Sequence, residues 1–250
     1  MFPLSANIGI KSWSFRHITD IGDLARAVSA AACHHVDLSG CHVNYDDPAA
    51  QAAVVATLRS AGVSVCGIGV VQLRDDLAYN RRFFDFARLA GCGIVAVNFV
   101  PTGHEAVLAQ ADRLAEEYGV RVALHNHGCQ HWLGNSETLS WVFKRSGPRI
   151  GLCIDTAWCI DAGEDPTAWL DAFGDRLHGV HFKDFTYDAK RKPVDCVVGA
   201  GLLDLKAFLK RFRQLPFSGS AVVEYEGPDA VLMSARCVDA VRVSWRESAS

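Results

Sequence analysis

The stretch EAVLAQADRLAEEYGVRVALHNH, residues 105–127, reads as one complete helix–turn–strand unit. Val107, Ala111, Leu114 and Tyr118 recur at helical spacing and make a single apolar stripe. Gly119 follows, where a left-handed C-cap belongs. The chain then enters Val120–His127, an apolar run that ends abruptly on His125, Asn126 and His127. A strand that is almost continuously apolar is expected where both of its faces are buried, as in a parallel sheet.

The same unit recurs on either side. Strands are expected at Asn7–Phe15, His35–Ser39, Val63–Val71, Gly93–Pro101, Ile150–Trp158, Leu177–Phe185 and Gly219–Gly227. Gly62 and Gly91 precede strands as Gly119 does, Asp165-Pro166 reads as N-cap plus first helical residue, and Ser136 or Asn135 can cap the helix before Trp141. Leu205, Phe208, Phe212 and Leu215 repeat the helical stripe. Eight strand–helix units with no spare element predict an α/β fold, a single (β/α)8 TIM barrel spanning residues 1–250 as one domain, at the length usual for that fold. An open doubly wound sheet would call for a phosphate fingerprint after an early strand, and the first strand is followed by KSWSF instead. The seventh unit is the long one. Its extra residues, Thr186–Gly201, are expected as a lid or substrate loop at the catalytic end.

Composition narrows the function classes. Half the residues are hydrophobic, 21% are charged and the net charge is -3, so a large core can form and no basic surface points to nucleic acid or an anionic membrane. No apolar stretch approaches the roughly 20 residues of a membrane span, and the first residues lack the pattern of a signal peptide. The nine cysteines include no C-x-x-C pair and several sit in apolar runs, which fits small buried hydrophobes in a reducing cytoplasm.

Chemistry collects where strands end. In a TIM barrel, polar residues at the C-terminal end of a strand line the active face. The fifth strand ends in His125-Asn126-His127, the sixth in Asp155, the seventh in His181-Phe182-Lys183-Asp184 and the eighth in Glu224-Tyr225-Glu226. Each follows an apolar run, where a carboxylate or imidazole is costly without a partner. One divalent cation would compensate Asp155, Glu224 and the imidazoles together, and mixed His and carboxylate ligands suit Mn²⁺, Zn²⁺, Co²⁺ or Mg²⁺. Taken singly, each residue has a plainer reading: His125 as a structural rim histidine, Asp155 as a helix cap, His181 as a bridge to a carboxylate, Glu226 as the partner of a lysine, and Lys183 as an ion-pair partner of Asp184. Trp13, Phe15 and Trp158 could wall a sugar ring or fill the barrel mouth. Gly199 and Gly201 could shape a phosphate or substrate loop or an ordinary turn. No nucleophile elbow or Ser/His/Asp order appears, which disfavours acyl transfer.

At these residues the chain resembles the xylose isomerase-like TIM barrel superfamily, often described as sugar phosphate isomerases/epimerases. The resemblance is strongest from Val120 to Gly227 and is carried by ALHNHG, CIDTAW with AGEDP, GVHFKDF, GAGLLD and VVEYEG. It implies four metal ligands, one from each of the last four strands: Glu, Asp, His and Glu. Asp155, His181 and Glu224 match the last three, whereas His125 stands where the first glutamate belongs. That departure leaves two roles open on the fifth strand, since either His125 or His127 could be the ligand or the base. The resemblance further implies metal-assisted proton abstraction beside a carbonyl through an enediolate. Glu224 or His127 would take the proton, Lys183 would orient a substrate oxygen, and Trp13, Phe15, Trp158 and Glu226 would bind substrate. The expected partner is a small-molecule carbohydrate, and homodimerisation is left open. Expulsion of a β-substituent would instead make the enzyme a dehydratase or lyase of a keto-sugar, keto-inositol or keto-glycoside. A DNA repair endonuclease would need more ligands and a basic face, and a non-catalytic sugar-binding barrel would lack metal affinity.

Overall fold

The computed structural model describes residues 3–248. Eight parallel strands form a closed barrel: β1 (Gly9–Lys11), β2 (His35–Leu38), β3 (Ser64–Gln72), β4 (Ile94–Asn98), β5 (Arg121–His125), β6 (Ile150–Asp155), β7 (Leu177–Phe182) and β8 (Ser220–Val223). Closure occurs where β1 pairs with β8, Gly9 opposite Val222 and Ile10 opposite Val223. Helices Ile21–Ala30, Pro48–Ser60, Leu77–Ala90, His104–Tyr118, Ser136–Phe143, Pro166–Phe173, Leu205–Phe212 and Ala230–Glu247 form the outer layer. The (β/α)8 barrel expected from the repeat is the fold observed.

Local signals act as their chemistry requires. Gly62, Gly91 and Gly119 take φ of 73°, 73° and 66°, a region in which a Cβ is strained. The Asp165 carboxylate accepts the Thr167 amide with Pro166 in the first turn, and of the two cap candidates Asn135 is the one used, accepting from Thr138. Phe182 meets Phe208 and Phe212 edge-on at 5.9 and 6.2 Å. Truncating a buried ring of this kind costs about 3–5 kcal/mol. The packing therefore anchors β7, on which His181 and Lys183 depend, against the helix that follows it.

Several strands are shorter than their apolar runs, and side-chain hydrogen bonds explain why. The expected strand Asn7–Phe15 is reduced to three residues between a helical turn, Leu4–Asn7, and a 3-10 turn, Ser12–Phe15. Ser12 Oγ accepts the Ser39 amide at 2.8 Å and Ser14 Oγ the Tyr225 amide at 3.0 Å, so hydroxyls replace the ladder there. β7 stops at Phe182, and Phe185–Tyr187 pairs antiparallel with Pro193–Asp195 as a hairpin within the long seventh loop. The Gly199/Gly201 turn folds around an internal carboxylate: Asp184 accepts the amides of Gly199, Gly201, Leu202 and Leu203 at 2.9–3.1 Å. No helix among the described residues is long and apolar enough to cross a membrane.

Candidate metal centre and cavity

The ends of β5, β6 and β7 and the residue after β8 place His125, Asp155, His181 and Glu224 side by side. One ligand atom from each lies within 4.8 Å of the others, and all four residues are buried. His181 Nδ1 is 3.0 Å from Glu224 Oε2 and 3.1 Å from His125 Nε2, while His125 Nε2 is 3.8 Å from Asp155 Oδ2. The register accounts for the convergence, because Asp155 of β6 lies directly opposite His181 of β7.

The cluster is not satisfied from within. Asp155 Oδ1 accepts the Trp158 amide at 3.0 Å, but Asp155 Oδ2 has no hydrogen-bond partner, nor do His125 Nδ1 and His181 Nε2. Burial, reinforced by the neighbouring Glu224 carboxylate, pushes the Asp155 carboxyl well above the usual range. Burial works the same way on Glu224, yet the Lys183 ammonium and His181 outweigh it and hold that carboxyl below the usual range. Burial also drives His125 well below the ordinary imidazole value. Two acids, two imidazoles and an unpaired buried oxygen fit a divalent cation. Ligands about 2.0–2.2 Å from a common centre lie within about 4.4 Å of one another, so a contraction of only a few tenths of an ångström completes the shell. His125, Asp155, His181 and Glu224 are the residues that would hold it.

A cavity of about 420 Å³ opens onto the cluster, with His125, His127, Glu224, Glu226, Trp13 and Trp158 on its wall. The strand ends at His125, so His127 sits on the following loop. Its ring nevertheless lies 4.7 Å from that of His125 and 4.8 Å from that of His131. Burial lowers His127 below the ordinary imidazole value and brings His131 to about 4. Glu226 is held from two sides, Oε1 by Lys183 Nζ at 2.6 Å and Oε2 by the Trp13 indole N–H at 2.9 Å.

Two expectations need correction. Phe15 is only 2% exposed and belongs to the core rather than the cavity wall, because the 3-10 turn rotates it away from Trp13. Lys183 is neither paired with Asp184 nor on the cavity wall. It is 1% exposed and faces Glu226, Asp195 and Glu224 at 2.6, 3.1 and 3.8 Å. Burial opposes its charge, but these carboxylates prevail and raise it above the ordinary lysine value. Lys183 therefore positions carboxylates beside the cavity rather than facing it directly.

Four residues escaped the sequence reading. Lys11 and Asp37, at the ends of β1 and β2, form a buried pair at 2.6 Å, and Lys11 also donates to the Gly69 carbonyl. Gly67 makes room for it, since a Cβ there would collide with the Asp37 carboxylate. The strand-end rule, extended from the late strands to the early ones, would have found both. Asn126 clamps the Asp155 backbone, donating to its carbonyl at 3.0 Å and accepting its amide at 2.7 Å. Asp195, on the hairpin, reaches Lys183 and accepts the Glu226 amide at 2.7 Å, a long-range contact with no local signature.

Residues 25–242 match the family model of the xylose isomerase-like TIM barrel. The chain belongs to this family. Among curated proteins it is similar to a 3-oxo-isoapionate decarboxylase of Pectobacterium atrosepticum, 25% identical over 115 residues, covering 44% of this chain and 41% of that protein. It is likewise similar to an inosose dehydratase of Geobacillus kaustophilus, 24% identical over 139 residues, covering 50% and 45% respectively. The chain thus spans less than half the length of these curated relatives. Among solved structures, a xylose isomerase-like TIM barrel protein of Mycobacterium smegmatis in complex with magnesium superposes with a TM-score of 0.79 at 13% identity, covering 98% of each chain. At that identity the likeness concerns the fold.

Proposed function

We propose that this family member is a metal-dependent sugar isomerase that removes the proton from a carbon next to the carbonyl of a polyhydroxylated substrate. The observation that carries the reading is Asp155 Oδ2, buried without a hydrogen-bond partner among His125, His181 and Glu224, where His125 and Glu224 line a cavity walled by two tryptophans. When bound, a divalent cation would polarise the carbonyl and stabilise the charge that develops on its oxygen. The chain's own residues supply the rest. His127, kept neutral by burial, is suited to take the carbon-bound proton and return it to the former carbonyl carbon on the same face, while the proton of the neighbouring hydroxyl passes to the former carbonyl oxygen. Glu224, held ionised by Lys183, is better suited as a ligand than as a base. Trp13 and Trp158 offer apolar faces to a ring or carbon chain, and Glu226 offers an acceptor to its hydroxyls.

One base on one face favours isomerisation over epimerisation, because inversion needs a second proton-transfer group on the opposite face. The paired glutamates implied by the resemblance are reduced here to Glu224, with His125 in the other place. The same single-base arrangement also suits elimination. That second reading, a keto-sugar dehydratase or lyase, draws support from the curated relative named inosose dehydratase. The test is metal analysis of the purified chain, then incubation with ketoses and keto-cyclitols in D2O. Metal-dependent incorporation of deuterium beside the carbonyl is expected. Retention of all oxygens in the product marks isomerisation, and loss of one water marks elimination. A metal-loaded chain that exchanges no proton on any ketone would refute both.

A further inference from the structure

We infer that the cavity is built for an uncharged polyhydroxylated ketone and selects against phosphorylated sugars. The inference rests on the function proposed above and names its substrate class.

Among the described residues, the cations around the mouth are already engaged. Lys11 is on the cavity wall, but it is only 2% exposed and its Nζ is bonded to Asp37 and to the Gly69 carbonyl. Lys183 faces three carboxylates. Arg16 donates to the Trp13 and Glu226 carbonyls at 3.1 and 3.0 Å, and its guanidinium lies 4.0 Å from Glu226 Oε2. Lys190, Arg191 and Lys192 are exposed on the hairpin turn and are not on the cavity wall. The backbone amides of the loop after β7 offer no substitute. TIM barrels frequently bind phosphate with the loops after their seventh and eighth strands, yet in the loop after β7 the amides of Gly199, Gly201, Leu202 and Leu203 converge on the Asp184 carboxylate. An internal anion fills the seat that a phosphate would need.

What remains on the wall matches a neutral polyol. Each Glu226 oxygen has one protein donor, Lys183 Nζ or the Trp13 indole, and keeps a further lone pair for a substrate hydroxyl. The indoles of Trp13 and Trp158 can cover the C–H face of a sugar. A phosphate substituent, by contrast, would meet the Glu226 carboxylate without a free cationic side chain on the cavity wall to offset it, and unmatched like charges are strongly selected against at interfaces. Glu226 is thereby a specificity-determining residue as well as a hydroxyl acceptor.

The experiment pairs neutral ketoses and keto-cyclitols with their phosphate monoesters. Each is titrated into the Mn²⁺-loaded full chain by indole fluorescence, with deuterium exchange followed in parallel. The neutral member of each binding pair should bind at least about tenfold more tightly, and millimolar inorganic phosphate should not displace it. Glu226→Gln removes the charge while preserving the side-chain shape, so the ratio between the two members should shrink. A merely structural role would weaken both members alike and leave the ratio unchanged, which would overturn the assignment to Glu226. Phosphate esters that bind as tightly as their neutral partners, or more tightly, would overturn the inference while leaving the proposed chemistry standing. Exchange on no ketone of either kind would instead sink the proposed function.

Discussion

The two halves of the barrel mouth handle buried charge in opposite ways. On the β1–β3 side, Lys11 and Asp37 neutralise each other at 2.6 Å, with the Gly69 carbonyl accepting a further hydrogen bond from the ammonium. On the β5–β8 side, two acids and two histidines are brought together with Asp155 Oδ2, His125 Nδ1 and His181 Nε2 left without partners. Both sets are almost fully buried, so both carry a desolvation cost. The first set is closed within the chain and can serve the fold. The second keeps buried polar atoms without hydrogen-bond partners, and this contrast separates a closed ion pair from a candidate metal centre.

The largest expected effects test the open half. Asp155→Ala or Glu224→Ala should weaken metal binding by more than about 100-fold, the upper end of what loss of an outer-shell partner costs, and should abolish turnover. Circular dichroism should be unchanged, because both residues lie at strand ends rather than in the layers of the core. Full metal occupancy in both variants, measured by elemental analysis, would show that the cluster is not the metal centre.

The strand-5 histidines should divide next. His125 touches the cluster, whereas His127 lines the cavity beside it. His125→Ala should lower metal affinity. His127→Ala should keep the metal and lose about 10²–10⁴ in turnover, the usual contribution of a general base. Equilibrium dialysis with Mn²⁺ alongside deuterium exchange reads both halves, and metal loss confined to the His127 variant would reverse the assignment.

The closed half should respond in stability. Lys11→Met leaves Asp37 buried and unpaired, and breaking such a pair typically costs about 3–5 kcal/mol. Adding Asp37→Asn removes the stranded charge and should restore part of that loss in urea unfolding. A Lys11→Met chain as stable as the parent would mean that Asp37 finds another partner.

The smallest effect is set at the other end of β7. His178 donates from Nδ1 to the Val122 carbonyl at 3.1 Å, and burial lowers its pKa to about 4. The unfolded chain, with this group near 6.5, takes up the proton first as pH falls. Stability should therefore be unaffected by His178 above pH 6.5 and should decline towards pH 4. That decline amounts to about 3 kcal/mol, and below pH 4 it is complete. His178→Asn should remove this share of the acid sensitivity. Parallel curves for the two proteins would argue that His178 is not held neutral.

His178 and His181 also show where sequence reading stops. They are three residues apart on one strand, yet one bonds a backbone carbonyl and the other joins the cluster. Barrel architecture was legible because it is local and repeated: helical stripes, glycine C-caps and apolar strand runs each declare themselves within a few residues. The polar ends of β5 to β8 were legible for the same reason, as interruptions of apolar runs. Lys11 and Asp37 were written in the same code and went unread. Strand lengths, the burial of Phe15, the carboxylates around Lys183, the Asp195 contact and the Asp184-filled loop were decided only in three dimensions. Each depends on a group distant along the chain. Whether a buried charge is already satisfied is settled by such distant groups, and no window of sequence contains both partners.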